Sequence, residues 1–209
     1  MKNIILFLTF TFLNYFTKGQ ESTTSIITIR ATTSVSGQAF SVDIFRNEDN
    51  IKVLYKTKES LSDKIETDSN LTKHRKALMS VKNLTPQNDT VSFYLEQIDS
   101  INQVYTKYGV DSLQFNKTEN KEFDSLLNAI LSSSSEILEN KSVSKNNVVL
   151  DGTLIRFKIT NDQTSRVIYA YSPSSTTYPL LNKLITQTLD LYRQTKNNDF
   201  LSIRKTGGY

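Results

Sequence analysis

Apolar and polar residues alternate along two parts of this 209-residue chain, and each alternation predicts β-strands that are buried on one face. The earlier part, residues 26–57, contains three apolar rows separated by two turns. The later part, residues 153–171, contains two rows separated by a turn centred on Asp162. An odd-length loop in this later hairpin predicts the pairs Ile159–Ser165, Phe157–Val167 and Ile155–Tyr169.

The three rows of the earlier part predict an antiparallel meander. A slip of one residue would move a whole apolar row to the opposite face, so both turns are chosen to keep the rows together. A two-residue turn at Ser36-Gly37 pairs Ala31 with Val42 and Ile29 with Ile44, and a four-residue turn at residues 47–50 pairs Arg46 with Ile51 and Ile44 with Val53.

Apolar residues that recur every three or four positions predict three or four helices. These are a helix that starts at Asp89 and runs to Tyr108 with Gly109 as its C-terminal cap, a helix from about Glu119 to Leu138 that is interrupted at residues 132–135, a helix from Pro179 to Tyr192, and a less regular one from Leu71.

The order of these elements predicts one α+β domain over residues 20–209. Its antiparallel sheet has five or six strands, made of the three-stranded N-terminal meander and the C-terminal hairpin. Three or four helices pack on one face of this sheet. The other face is then open to solvent.

The first nineteen residues predict a secretory signal peptide. Lys2 precedes an apolar stretch, Ile4–Phe16, and a cleavage position follows between Gly19 and Gln20. A bilayer span needs about 20 apolar residues, so this stretch is too short to be an anchor, and no membrane span is expected after cleavage. We expect an extracytoplasmic protein, secreted or periplasmic, whose richness in Lys, Asn, Ile, Ser and Thr is typical of AT-rich bacterial coding.

Composition excludes several kinds of chemistry. The formal net charge of +4 falls to +2 once Lys2 and Lys18 are removed, which gives no reason to expect nucleic acid as a partner. The chain has no cysteine, so disulfides, thiolate nucleophiles and thiolate metal sites are excluded. Its single histidine, His74, lies between Lys73 and Arg75, and this position is a poor setting for the histidine of a catalytic triad. We predict no catalytic residue, no metal site and no cofactor.

The predicted open face of the sheet is basic although the whole chain is nearly neutral. It is expected to carry Arg46 and Lys58 together with six candidate ligand-binding residues: Arg30, Lys52, Lys56, Arg156, Lys158 and Arg166. Such a face could bind an anionic partner, either a polymer of the cell envelope or an acidic protein. The alternative interpretation is an ordinary solvated face, with lysines that prevent edge-to-edge pairing of strands.

The sequence therefore favours a non-enzymatic binding domain or a domain associated with the cell envelope. Two other functions stay open. One is a hydrolase whose pocket holds carboxylates or tyrosines, since glycosidases need only two carboxylates. The other is a purely structural subunit, which an exposed apolar patch would indicate.

Overall fold

The structure is a computed structural model, which describes residues 25–33, 39–82, 88–139, 152–161, 164–196 and 198–209. The predicted signal peptide and the centres of two predicted turns, Ser36-Gly37 and Asp162, lie outside these residues.

The described strands form one antiparallel sheet of six strands in the order β4-β3-β2-β1-β5-β6. The strands are β1 (Ser25–Thr33), β2 (Ala39–Arg46), β3 (Asn50–Leu61), β4 (Thr106–Asn116), β5 (Thr153–Asn161) and β6 (Ser165–Tyr171). The predicted meander and hairpin thus share one sheet, in which β1 joins them by pairing with both β2 and β5.

Three of the described helices cover one face of the sheet, here called the inner face. They are α3 (Lys121–Ser132), α4 (Ser135–Glu139) and α5 (Pro179–Thr195). Phe123 and Leu127 of α3 and Leu184 of α5 join the apolar strand residues in one buried core. The fold class predicted from sequence is confirmed.

Two further helices, α1 (Ser69–Met79) and α2 (Asp89–Tyr105), pack against each other after a short 3-10 helix, Asp63–Thr67. Side chains at their N-termini accept hydrogen bonds from the first backbone N–H groups, which would otherwise be unpaired. These caps are Asp68, which accepts from Leu71 at 2.8 Å, and Asn88, which accepts from Thr90 at 2.9 Å. Acidic residues of α2 contact the second face of the sheet, here called the outer face.

The register of the meander is partly as predicted. Arg46 pairs with Ile51 and Ile44 with Val53, so the turn between β2 and β3 is confirmed. Between β1 and β2, however, Ala31 pairs with Phe40 and Ile29 with Val42, two positions from the predicted partners. An even shift preserves the face on which each side chain lies, so the predicted core face is still correct.

The register predicted for the late hairpin is wrong. Ile155 pairs with Ala170, and Phe157 pairs with Ile168. The N–H of Asn161 donates to the carbonyl of Thr164 at 3.0 Å, which closes an even-length connection. Ile168 and Ala170 therefore belong to the buried core of the inner face, and the opposite row of β6, with Val167, Tyr169 and Tyr171, lies on the outer face.

The structure also corrects the predicted helix that ends at Gly109. Helix α2 ends at Tyr105, and β4 begins at the next residue. A Cβ atom at Gly109 would lie 2.8 Å from a carboxylate oxygen of Glu59 and 3.1 Å from the ring of Phe200. Glycine fits here because neighbouring side chains approach the strand closely, and a larger residue would have to displace the Glu59 carboxylate and the Phe200 ring. A helix cap does not explain it.

Candidate functional site: the outer face of the sheet

Strand alternation places a row of basic side chains on the outer face. Arg30 lies between the buried inner residues Ile29 and Ala31, and Arg156 lies between Ile155 and Phe157. By the same alternation, four lysines lie on this face: Lys52, Lys56, Lys58 and Lys158.

Arg30 and Arg156 are direct neighbours on β1 and β5, so their like charges would repel each other without a counter-charge. Helix α2 supplies that charge. Arg30 Nη1 lies 2.9 Å from Asp99 Oδ2, and Arg156 donates to Glu96 and has its Nη1 3.9 Å from Asp99. Gln103 Nε2 donates to Asp99 as well, at 2.9 Å. These two predicted binding arginines therefore attach α2 to the sheet.

Lys56, another predicted binding residue, is paired within the sheet. Its Nζ lies 2.8 Å from Asp43 Oδ2 on the neighbouring strand. The Asp43 side chain is mostly buried, whereas Lys56 is partly exposed. The ammonium group of Lys56 keeps further N–H donors for other acceptors, because an ammonium has three.

Arg166 does not lie on the outer face, which contradicts its predicted place beside Arg156 and Lys158. It pairs with Ile159, and its guanidinium donates to the backbone carbonyls of Ser133 and Ile130. Burial lowers the pKa of this guanidinium. Arg166 thus satisfies carbonyls at the C-terminal end of α3 that lack partners within the helix.

Arg46 also lies on the inner face rather than the predicted open one. Its Nε donates to Asp124 Oδ1 of α3 at 2.8 Å.

Lys52 and Lys158 are the predicted site residues that are exposed. Lys52 pairs across the strands with Phe45, which pairs in turn with Ile26, and Lys158 lies beside Thr28 on β1. Three strand spacings of about 4.8 Å separate β3 from β5, and Lys158 lies two residues, about 7 Å, along the strand from the row of Lys52. The backbone positions of the two lysines are therefore about 16 Å apart. The side chains of Ile26 and Phe45 between them are half-buried.

Positive charge is in excess on this face. Arg30, Arg156 and Lys56 are faced by three carboxylates, Asp43, Glu96 and Asp99, whereas the exposed Lys52 and Lys158 face none among the contacts of the described residues. The notable feature of the outer face is thus a pair of exposed lysines with apolar residues between them. Arg46 and Arg166, which the sequence placed in this basic face, lie on the inner face instead.

A groove with a volume of about 260 Å³ lies between α2 and the part of the outer face that contains Arg30, Ser41 and Lys56. We call it the outer groove. Its polar lining comprises Arg30, Thr32, Ser41, Lys56, Asp99, Gln103 and Tyr108. Burial is the main cause that raises the pKa of the Tyr108 hydroxyl, so this group is a hydrogen-bond donor at neutral pH.

Three buried polar atoms near this region have no hydrogen-bond partner among the described residues. They are the Nε atoms of Arg30 and Arg156 and the hydroxyl of Tyr169, which pairs with Arg156 across the strands and is 6% exposed. Buried polar groups are normally satisfied, often by water. This part of the outer face therefore has unused donor capacity.

Two carboxylates share a cavity in the described part of the chain, as the hydrolase hypothesis requires. A cavity of about 300 Å³ between α3 and α5 is lined by Glu122 and Asp190. Both carboxylates are exposed, and Asp190 lies 3.3 Å from Arg193. A glycosidase acid instead needs a desolvating pocket.

The side chains of His74, Ser132 and Ser133 have structural roles in the described part of the chain. The ring of His74 packs 5.9 Å from the ring of Tyr94, and the hydroxyls of Ser132 and Ser133 donate to backbone carbonyls of α3. Within the described ranges, no group of three or more His, Asp or Glu residues is placed to hold a metal ion. No helix there is both long and apolar enough to cross a bilayer.

Sequence reasoning missed Glu96 and Asp99, the residues that pair with the arginines. They are three positions apart, so they lie on the same side of a helix. That spacing was visible in the sequence, but the surface that this side of α2 contacts was not.

Comparisons of this chain with protein-family models, with curated proteins and with solved structures found no match.

Proposed function

We propose that this chain is an exported, non-enzymatic binding domain whose outer sheet face binds an acidic segment of a partner protein. The observation that supports this most directly is the exposed pair Lys52 and Lys158, with the half-buried Ile26 and Phe45 between them. The proposal of export rests on the N-terminal pattern of Lys2 and the apolar stretch that follows it.

The charge of the surface supports an anionic partner. Arg30, Arg156 and Lys56 already face carboxylates of this chain, so Lys52 and Lys158 are the residues with charge available to a partner. Charges of this kind act mainly on encounter and orientation, and at physiological salt they are screened beyond about 8 Å. Binding should therefore be strongly salt-dependent.

The apolar residues between the lysines favour a protein over a uniformly charged polymer of the cell envelope. Ile26, Phe45 and Leu54 each keep part of their side chain accessible on this face. Protein interfaces combine an apolar centre with a polar rim, and a peptide in which acidic and apolar residues alternate matches both parts. A polymer that carries only charge would leave the apolar centre unused.

A hydrolase is less well supported, because Glu122 and Asp190 are both exposed. The structural-subunit hypothesis rests on exposed apolar side chains of α1 and α2, namely Met79, Phe93 and Val104, each of which is more than half exposed. Exposed apolar side chains are common on monomers when they occur singly. The outer face combines charge with apolar surface and so gives the more specific proposal.

A binding measurement with charge-reversal variants tests the proposal. The probe is a short peptide in which glutamate alternates with leucine. The double variant Lys52→Glu/Lys158→Glu should bind it at least about tenfold more weakly than the wild-type chain, a loss of about 1.4 kcal/mol. Raising the salt concentration should weaken wild-type binding and have little effect on the double variant.

The matched control is Lys121→Glu/Lys183→Glu, which makes the same change of charge at exposed positions of α3 and α5. It should bind the peptide like the wild type. Equal affinity for the two double variants would contradict the proposal. If poly-glutamate without apolar residues binds as tightly as the peptide, the surface recognises charge alone, and a polymer replaces the acidic protein as its partner.

A further inference from the structure

The outer groove has a floor and a roof of different composition. Strands β1, β2, β3 and β4 form its floor, with Ser41, Lys56 and Val110, while Asp99 and Gln103 of α2 form its roof. Its volume of about 260 Å³ equals that of roughly nine water molecules at about 30 Å³ each. This lies just below the usual range of small-ligand sites, which starts at about 300 Å³.

Hydrogen-bond donors predominate among the groups of the groove that are still available. Lys56 contacts Asp43 through its ammonium group, which has three N–H donors in total. Arg30 uses Nη1 on Asp99, while its Nε is buried and has no partner among the described residues. Ser41 adds a buried hydroxyl, and Tyr108 adds a second hydroxyl.

One carboxylate lines the groove, against two cationic donors. This carboxylate, Asp99, accepts from both Arg30 and Gln103 at 2.9 Å through its Oδ2 atom. A ligand that brings an acceptor therefore fits better than one that brings a donor. Hydrogen bonds between cationic donors and an anionic acceptor are the stronger kind.

The charge and the apolar part of the groove define the ligand further. Two cations line the groove, Arg30 and Lys56, and each already has one carboxylate beside it. Asp99 and Asp43 would repel a ligand with two negative charges more strongly than a ligand with one. Val110 is 56% exposed and lies beside the ring of Tyr108 in the lining. This side would contact an apolar group.

We propose that the outer groove binds a small organic monocarboxylate, with Lys56 and Arg30 at the carboxylate and Tyr108 and Val110 at its apolar part. Roughly ten non-hydrogen atoms would fill a space of this size. This site is separate from the surface between Lys52 and Lys158. The proposal of a monocarboxylate site therefore does not depend on the proposed partner protein.

Titrations followed by amide NMR shifts test this site with three probes at constant ionic strength. Benzoate is the monocarboxylate, benzamide its neutral analogue, and inorganic phosphate an anion without an apolar part. We expect saturable shifts of Arg30, Ser41, Gln103 and Tyr108 amides with benzoate, and affinities at least about tenfold lower for benzamide and phosphate.

A pair of variants assigns the binding to the groove. Lys56→Met/Asp43→Asn removes the cation together with its partner, so that no buried carboxylate is left unpaired, and it should weaken benzoate binding at least about tenfold. Lys52→Met, on the same strand but outside the groove, should bind benzoate like the wild type. A second variant, Tyr108→Phe, removes only a hydroxyl and should weaken binding to a smaller extent.

Four results would overturn the proposal: no saturable shift with benzoate, shifts that lie outside the groove, equal affinity for benzamide, or unchanged binding by Lys56→Met/Asp43→Asn. Phosphate binding as tight as that of benzoate would overturn the assignment to an organic ligand. The Lys52→Glu/Lys158→Glu variant should keep benzoate binding even if it loses the acidic peptide, so the two proposals fail separately.

Discussion

Arg30 Nη1 donates to Asp99 Oδ2 at 2.9 Å, although the two residues are 69 positions apart in the sequence. This contact joins strand β1 to helix α2 on the outer face. Val91 is the buried residue of α2, so apolar burial contributes less to the docking of α2 than to that of α3 or α5. Ion pairs at Arg30 and Arg156 therefore contribute a large share of its attachment.

Asp99→Asn should lower the free energy of unfolding by about 1–2 kcal/mol, because it weakens a partly buried ion pair and leaves two adjacent arginines with less counter-charge. Urea denaturation followed by circular dichroism measures this. Asp49→Asn, at an exposed turn position, is the control and should change stability by less than about 0.5 kcal/mol. Equal stability of Asp99→Asn and wild type would show that the pair does not attach α2.

Arg166→Lys should be destabilising even though it keeps the charge. The guanidinium satisfies several carbonyls of α3, and an ammonium cannot reproduce its planar set of donors. We expect a loss of about 1–3 kcal/mol in the free energy of unfolding. Lys158→Met, at an exposed outer-face position, should have almost no effect. A larger loss of stability for Lys158→Met than for Arg166→Lys would contradict the register found for β5 and β6.

Tyr192 should make the protein sensitive to alkaline pH. Burial and, secondarily, the hydrogen bond to Asp111 raise its pKa to about 12, above the value of about 10 expected for the unfolded chain. Its stabilising contribution is therefore complete below pH 10 and is lost as the pH rises towards 12. Urea denaturation at several pH values between 10 and 12 measures this effect. The free energy of unfolding should fall more steeply with pH in the wild type than in Tyr192→Phe, and the two slopes should differ by up to about 1.4 kcal/mol per pH unit. Equal slopes would contradict the assignment.

The register between β2 and β3 could be predicted from the sequence, because the polar turn and the apolar rows on both sides of it agree. Asn47 Oδ1 accepts from the N–H groups of Asp49 and Asn50, at 3.1 and 2.7 Å, and this fixes the turn between β2 and β3. Asn161 Oδ1 accepts in the same way from the N–H of Thr164, at 2.9 Å, but the apolar pattern did not indicate the register of strand β6. Its two alternating rows both contain apolar residues, so the row with Val167 and Tyr169 looked as suitable for the core as the row with Ile168 and Ala170.

Strand β4 was missed because its first apolar residues continue the spacing of α2. Tyr108 falls in register with the helical stripe, and pairing with β3 overrides that local pattern. The same limit applies to the site. Its basic residues could be named from strand parity, but their pairing depends on which surface α2 contacts, and that is a tertiary property. Arg166 shows this most clearly, because carbonyls of α3 stabilise a charged residue on the apolar face.

The most direct test of the outer face as a binding surface is its footprint in an amide NMR titration with the alternating glutamate–leucine peptide. The proposed function predicts shifts that cluster at Ile26, Phe45, Lys52 and Lys158 and fade as salt is raised. Amides on the exposed sides of α3 and α5 should not move. Shifts centred on those helices, or none at peptide concentrations that saturate binding, would contradict the proposal.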